Sequence, residues 1–358
     1  MALEYPALLS AILALSSIHK TSLYQSQGEP NEIITHKTSS IIKLRSDLSQ
    51  PNERMRNAAL ATILTLCMCE IHSGADKPRS WRLHLEGAKA FIASNSEETP
   101  LTSASSLLRR WYTSIEALAA ITAKGLPAGQ LTPGSASVPD HAEASEQIFL
   151  DDYFGFSTDL PAAFKEIGAA AWERRSTLLQ HDAFQSLSEL DFKGEADSLE
   201  ATIQAMIDRD QVSPPKFYPG VEGHLSSDAI HEFRLCNETY QHAALIHIER
   251  RVRLEPKESP AVQRSVRRIL GCARQIIPKT GLSPWIVLTM PLFTAGREAI
   301  GEDRVIVKDL MTRLYESLKL KNIRRSLDLL ESSWANDDRP YRAPIQGDSH
   351  NIRSNKHL

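Results

Sequence analysis

Apolar residues recur along this chain at helical spacing almost from end to end. Leu8, Ile12 and Leu15 follow Pro6 at steps of four and three. That spacing gathers side chains on one helix face, and proline suits the first helical turn. Ile34, Ile41, Leu44 and Leu48 recur at steps of seven, three and four. Met55, Ala59, Ile63 and Leu66 run beside a second row of Leu60, Leu64, Cys67 and Ile71. Two rows on one helix make a wide apolar face, which predicts a deeply buried helix. Further rows are Phe233, Cys236, Tyr240, Ala244 and Ile248, then Val307, Leu310, Leu314 and Leu318, then Ile323, Leu327, Leu330 and Trp334. No alternating pattern of strand length interrupts them. The pattern predicts an all-α fold, a multi-helix bundle of about ten or more helices without significant sheet.

Turn-forming residues divide the rows. Short polar stretches at 26–30, 49–52 and 74–78 read as helix–helix turns. Residues 125–147 are rich in Gly, Pro, Ser and Ala and poor in large apolar groups, so they read as a flexible linker or long loop. Another break, 212–223, holds Pro214, Pro215 and Pro219. The expected organisation is an N-terminal helical half at 1–124, the linker, a C-terminal helical half at 148–336, and a disordered polar tail at 337–358. The two halves can still form one body.

Charge and composition narrow the function. Of 358 residues, 42% are hydrophobic and 24% charged, with a formal net charge of −3. A domain that held nucleic acid by itself would carry a basic excess, so direct DNA binding by this chain alone is not expected. Cys67, Cys69, Cys236 and Cys272 form no C-x-x-C pair and read as reduced core thiols, not zinc ligands. The apolar start at 7–18 lacks a positive leader and is too short to span a bilayer. No dinucleotide, phosphate-loop, nucleophile-elbow or zinc-protease motif occurs. Glu238 and His242 lie one turn apart, but His247 falls off their face. Asp151-Asp152 is expected to serve the start of a helix near Thr158 or Asp159. Arginine groups at 250–253, 264–268 and 324–325 read as solvated helix faces. The sequence thus offers no catalytic, cofactor-binding or metal-binding set.

Six segments in order carry a resemblance. They are the opening helix Tyr5–Ser17; Trp81, His84, Leu85, Gly87 and Ala88 as W-x-x-H-L-x-G-A; and 150–160 as D-x-x-x-G-x-S-x-x-L. They continue with Glu238 and Tyr240 leading into 243–248, Trp285 with 291–299 as W…P-L-F-x-A-G-x-E-A, and the closing helix 322–334 ending in Trp334. Together these resemble the fungal-specific transcription factor domain, the C-terminal regulatory domain of zinc-binuclear-cluster factors, here without the six-cysteine cluster, basic linker and coiled coil. The resemblance implies a nuclear regulatory domain that controls transcription. Its implied partners are transcriptional co-regulators or a homologous zinc-cluster factor, with a small-molecule effector and no membrane. The competing readings are a helical body reused as a small-molecule carrier or enzyme, and a stand-alone protein that titrates a full-length homologue.

The motif residues also have physical roles to play. Gly87 and Gly296 would let helices approach closely or end them. Trp81, Trp285 and Trp334 would anchor the core, each indole N–H needing a partner if buried. His84 and Glu298 would be buried hydrogen-bonding residues that set helix register. Pro284-Trp285 starts a helix, and Pro291 should kink or break it near 287–291, freeing carbonyls that Arg297 could reach. Leu292 and Phe293 should be buried, with this segment packed against the helix that carries Glu238 and Tyr240.

Overall fold

Pro6 opens α1 (Pro6–Leu23), which packs on both α2 (Asn31–Leu48) and α3 (Glu53–Ser73). In the computed structural model the described residues are 2–24, 31–49, 53–74, 80–94, 103–122, 131, 147–179, 185–279 and 283–338. Helices α4 (Ser80–Ser94) and α5 (Ser103–Ala120) complete the first group. After it come α6 (Leu160–Leu179), α7 (Gln185–Val212), α8 (Ser227–His247) and α9 (Pro260–Ala273). A 3-10 turn at Pro284–Val287 precedes α10 (Thr289–Glu298), α11 (Glu302–Leu318) and α12 (Lys321–Asp337). The fold is all-α. Among the described residues the only strands are β1 (Phe149–Leu150) and β2 (Lys216–Phe217), two residues each and parallel. They clip the start of α6 to the segment that follows α7.

Local chemistry sets several boundaries. Ser226 and Ser259 accept hydrogen bonds from the backbone N–H of Ala229 and Val262 and so cap α8 and α9. Lys319 takes a left-handed conformation that ends α11. The wide apolar face of α3 is buried as its two rows predict, with Leu64, Leu66 and Cys67 inside the core. Leu310 and Leu314 of α11, and Ile323, Leu327 and Leu330 of α12, are buried too.

Two rows take a different register. Ile12 of α1 is exposed, and the buried stripe is Ala7, Leu8, Ala11, Ala14 and Ile18. Small residues there let α2 and α3 approach, and Ser40 donates a 2.9 Å hydrogen bond to the Ala7 carbonyl. On α2 only Leu44 of the expected row is buried; Ile34, Ile41 and Leu48 face outward while Ile33 and Ser40 face in. Periodicity gives a face but not its direction when two phases of a helix both carry apolar residues. Gly87 also departs from expectation. It lies exposed inside α4, and a methyl group there would meet nothing within 4 Å. The linker 125–147 lies outside the described residues except Leu131, which is buried, and Gln147. The turn at 26–30 and the tail beyond residue 338 lie outside them as well.

Two large apolar clusters form the core. One gathers α1 and α3–α5 with Leu44 of α2, the other α5–α12. Helix α5 serves both: Tyr112, Ile115 and Ala119 face the first, Ala117 and Ile121 the second. The joint is the contact of α5 with α6. A Cβ on Gly168 would stand 2.5 Å from the Ala120 carbonyl oxygen, so only glycine allows this approach. Beside it Lys165 and Glu116 form a buried ion pair at 2.8 Å, and Tyr112 donates to the same carboxylate at 2.7 Å. A second joint runs from α12 to the end of α3, where Arg325 donates to the Gly74 carbonyl at 2.7 Å.

The two glycines predict opposite outcomes. Gly168→Ala should destabilise the protein by about 1–3 kcal/mol, the cost of overpacking a tight contact. Gly87→Ala should stabilise it by about 0.5–1 kcal/mol, because an exposed helix interior favours alanine. Urea denaturation of both variants measures the pair; a Gly168→Ala protein as stable as wild type would refute the tight joint.

Candidate functional site

Helix α8 is where the motif segments of the second half converge. Its buried row of Phe233, Cys236, Tyr240 and Ala244 continues into Ile248, and different sides of the helix receive different segments. The element at 150–160 approaches from one side. Asp151 folds it by accepting from the backbone N–H of Tyr153 and Phe154 at 2.9 and 3.1 Å. Gly155 then takes φ +73, and a Cβ there would stand 2.7 Å from Cys236 Sγ and 2.9 Å from Val287. Asp151 thus shapes a turn and pairs with Arg110 of α5 at 2.8 Å; it does not cap α6. Burial raises its pKa, although the two backbone N–H groups and Arg110 oppose the shift.

Beyond Gly155, Phe156 lies against Tyr240 with ring centroids 4.7 Å apart. The Ser157 N–H donates to Asn237 Oδ1 at 2.8 Å. Asn237 and Gln241 both donate to Asp210 at 2.7 Å, and Arg209 joins Asp210 to Asp159. One polar network therefore ties the start of α6, the end of α7 and one face of α8. Burial holds Asp210 above the usual carboxylate range even with Arg209 and Gln241 bonded to it.

The tryptophan–proline segment covers another side of α8. Pro284 and Trp285 open a 3-10 turn, with Ser283 Oγ accepting from the Trp285 N–H at 3.3 Å. The helix breaks at Leu288 and resumes as α10, with Pro291 in its first turn. The break frees the Val287 carbonyl, and Tyr240 donates its hydroxyl to that oxygen at 2.6 Å. Burial raises the tyrosine well above its ordinary pKa, so it stays a donor. The Trp285 indole donates to Ser317 of α11 at 2.7 Å. The segment is thus seated on α8 as predicted, with Leu288 and Leu292 buried, but Phe293 is half-buried where full burial was expected, and Ile286 is exposed.

Gly296 and Glu298 hold the far end of α10. A Cβ on Gly296 would meet Leu330 at 2.7 Å and Val307 at 2.9 Å, so α11 and α12 pack directly on its backbone. Trp334 donates to the Gly296 carbonyl at 2.8 Å. Glu298 accepts from Arg250 at 2.7 Å. Arg250 belongs to a π-helical turn, Ile248–Val252, that extends α8. This turn corrects the reading of 250–253 as a solvated face. Arg251 donates to the Ile121 carbonyl at the end of α5, 2.7 Å away, and Arg253 pairs with Asp197 and Glu200 of α7 at 2.5 and 2.7 Å. The wider turn swings neighbouring arginines toward different helices, and a cation at a helix C-terminus is electrostatically favoured.

The remaining predicted residues lie elsewhere. Glu238 faces α9, where it pairs with Arg268 and stands 3.8 Å from His242. Arg297 is exposed, near Asp337, and reaches no carbonyl of the break. Trp81, His84 and Gly87 sit on α4 in the first group of helices. There the Trp81 carbonyl accepts from Cys67 Sγ at 3.4 Å, and the Trp81 ring is half-buried. Near His84, Glu70 accepts from Lys37 at 2.7 Å and from Ser80 at 2.6 Å. Burial alone would raise Glu70, but those bonds hold it low. Burial lowers the pKa of His84, which keeps it neutral. All four cysteines are buried, and burial pushes Cys67, Cys69 and Cys272 up to about 12. Among the described residues no three metal-binding side chains converge. Asp210, Asn237, Gln241 and Arg251 carry the site yet stand out in no motif. The one signal, for Asn237 and Gln241, is that they are polar residues interrupting the apolar face of α8.

A profile of the fungal specific transcription factor domain matches residues 1–348. The chain belongs to that family. No curated protein and no solved structure matches it. The fungal-specific transcription factor domain is a regulatory module of transcription factors and not an enzyme family, and no described helix of this member is long and apolar enough to cross a membrane.

Tyr240→Phe should cost about 1–3 kcal/mol, the penalty for leaving the buried Val287 carbonyl unpaired. Leu292→Ala should cost about 2–5 kcal/mol and half-buried Phe293→Ala less than the 3–5 kcal/mol of a full aromatic cavity. Chemical denaturation ranks the three; equal, negligible losses would contradict the packing.

Stability should also fall with pH. Burial, with Arg251 adding to it, lowers His247 to about 3; burial lowers His242 to about 4, with Glu238 opposing and Arg268 assisting. Below the ordinary histidine pKa the unfolded chain takes up protons that the folded chain refuses. Each group therefore removes up to about 1.4 kcal/mol per pH unit as pH falls from about 6.5 toward those values. Urea midpoints at pH 7 and pH 5 should converge in a His242→Gln/His247→Gln protein relative to wild type.

Proposed function

We propose that this chain is the effector- or co-regulator-responsive domain of a fungal transcription factor, acting in the nucleus on RNA polymerase II transcription of a metabolic pathway or gene cluster. The observation that carries the reading is the broken helix at 284–298. Its two pieces are held by few directional contacts, and those contacts lead to different parts of the molecule. Tyr240 holds the break to α8, Gly296 and Trp334 tie α10 to α12, and Glu298 leads through the arginine turn to the end of α5. A shift of α10 against α8 would alter all three, and packed interfaces change between discrete arrangements more readily than they deform. Such an element suits a switch that a metabolite or co-regulator biases by binding one arrangement better. Direct DNA contact is no part of this reading, since the net charge is −3.

A tethered-reporter assay tests it. With the chain fused to a heterologous DNA-binding domain, Tyr240→Phe and Arg250→Ala should each change reporter output at least about threefold at equal protein abundance, a shift of under 1 kcal/mol in a two-state equilibrium. Output equal to wild type from both variants would reject the break as the regulatory element.

A further inference from the structure

Helix α9 turns outward a face that carries charge of one sign. Exposed on it are Arg264, Arg267, Arg268 and Gly271 and, just past its end, Arg274 and Gln275. Residues three and four apart are neighbours on a helix surface, so these six form one continuous stripe. From Ser259 to Arg297 the chain has no Asp or Glu and six basic residues. That stretch carries +6 in a chain of net charge −3, so all other residues together stand at −9. Among the described residues only Arg268 of the stripe has a carboxylate partner, Glu238. Arg267 bonds within its own helix, to the Gln263 carbonyl, and the guanidinium groups of Arg264 and Arg274 bond no other described residue. Helix α8 adds to this charge. The two helices run antiparallel, His242 meeting Ser265 and Glu238 meeting Arg268, which sets exposed Arg234 level with the end of α9.

Gly271 gives the stripe its shape. Its surface neighbours are Arg267, Arg268, Arg274 and Gln275, and a Cβ added to it would meet nothing within 4 Å. The stripe therefore contains an open hole rimmed by three guanidinium groups and an amide. Gln275 is held at that rim by donating to the Gly271 carbonyl at 2.9 Å. Glycine is poorly suited to a helix interior, and no packing inside the molecule requires it here. A guanidinium fork pairs a carboxylate through two parallel hydrogen bonds, and a side chain from a second surface enters such a hole as a knob. A nucleic-acid duplex is anionic too, but it would meet a wide area of a molecule whose remainder is strongly acidic. Exposed charges act over a Debye length of about 10 Å, so a short acidic peptide on α9 meets the stripe alone.

We propose that the outward face of α9 binds an acidic segment of another protein, one carboxylate side chain of that segment seated over Gly271 among Arg267, Arg268 and Arg274. Calling this partner a co-regulator rests on the function proposed above; the contact itself does not. Gln263, on the inner side of α9, donates to the Glu298 carbonyl at 2.8 Å, so a partner seated here lies one helix away from the broken element.

Fluorescence anisotropy of the full chain at low salt tests it, with a labelled peptide of a dozen residues that has two aspartates to each leucine. The peptide should bind at micromolar concentration, and Arg267→Glu/Arg274→Glu should weaken it at least about tenfold, the size of two lost ion pairs. Lys20→Glu/Arg45→Glu changes the net charge equally at exposed sites on α1 and α2, and should leave the affinity within about twofold because those charges lie beyond screening distance. Gly271→Gln keeps every charge but fills the hole, and should weaken binding at least about threefold with an unchanged helical spectrum. Four results overturn the proposal: no binding at about 1 mM peptide, equal losses in the two charge variants, wild-type affinity in Gly271→Gln, or tighter binding of a DNA duplex than of the peptide. None of them alters the reporter response of Tyr240→Phe, so failure here is distinct from failure of the broken helix as a switch.

Discussion

Everything in this fold depends on how closely α5 and α6 approach. The Ala120 carbonyl lies where a side chain on residue 168 would begin, so the second group of helices is seated against the backbone of the first. That proximity buries Lys165 and Glu116 together. Taking two charges out of water is costly, and here they are compensated by each other and by Tyr112. The pair adds little net stability over an apolar contact of the same shape, but a shifted α6 would strand each charge. It therefore acts mainly on specificity: few other alignments of the two helices satisfy it.

From that joint the second group is organised around α8 by polar links that reach outward from a buried helix. Asn237 and Gln241 hold Asp210 and the turn before α6, while Tyr240 holds the broken helix. The π-helical turn at the end of α8 then sends Arg250, Arg251 and Arg253 to α10, α5 and α7. The result couples segments far apart in sequence through one short stretch. That connectivity is what the proposed regulatory role draws on, since a shift at one of these directional contacts would reach the others.

Much of this architecture is legible in the order of the residues. Helical spacing carries the all-α class, and the double row on α3 carries its depth, because burial on a helix must follow its 3.6-residue period. Pro284, Trp285 and Pro291 locate the broken helix, since proline both starts helices and interrupts their hydrogen bonding. Trp334 and Gly296 each stand out in a motif, although nothing in their spacing says that the indole of one bonds the carbonyl of the other. The arginines of 250–253 mislead for a physical reason: a charged run on an α-helix is normally solvated, and the local widening to a π turn is not written in the residues that form it.

Near neighbours along the chain are enough to fix the helices, their caps at Ser226 and Ser259, the break at Leu288, and the family, whose motifs survive as short ordered words. Other outcomes came only with the folded body. It settles which phase of α1 and α2 turns inward, that Gly168 sits at a tight contact while Gly87 does not, and that Glu238 looks to α9. Each of these rests on the shape of the opposing surface. Residues far apart in the chain supply that surface, and no period or spacing within a single helix encodes it.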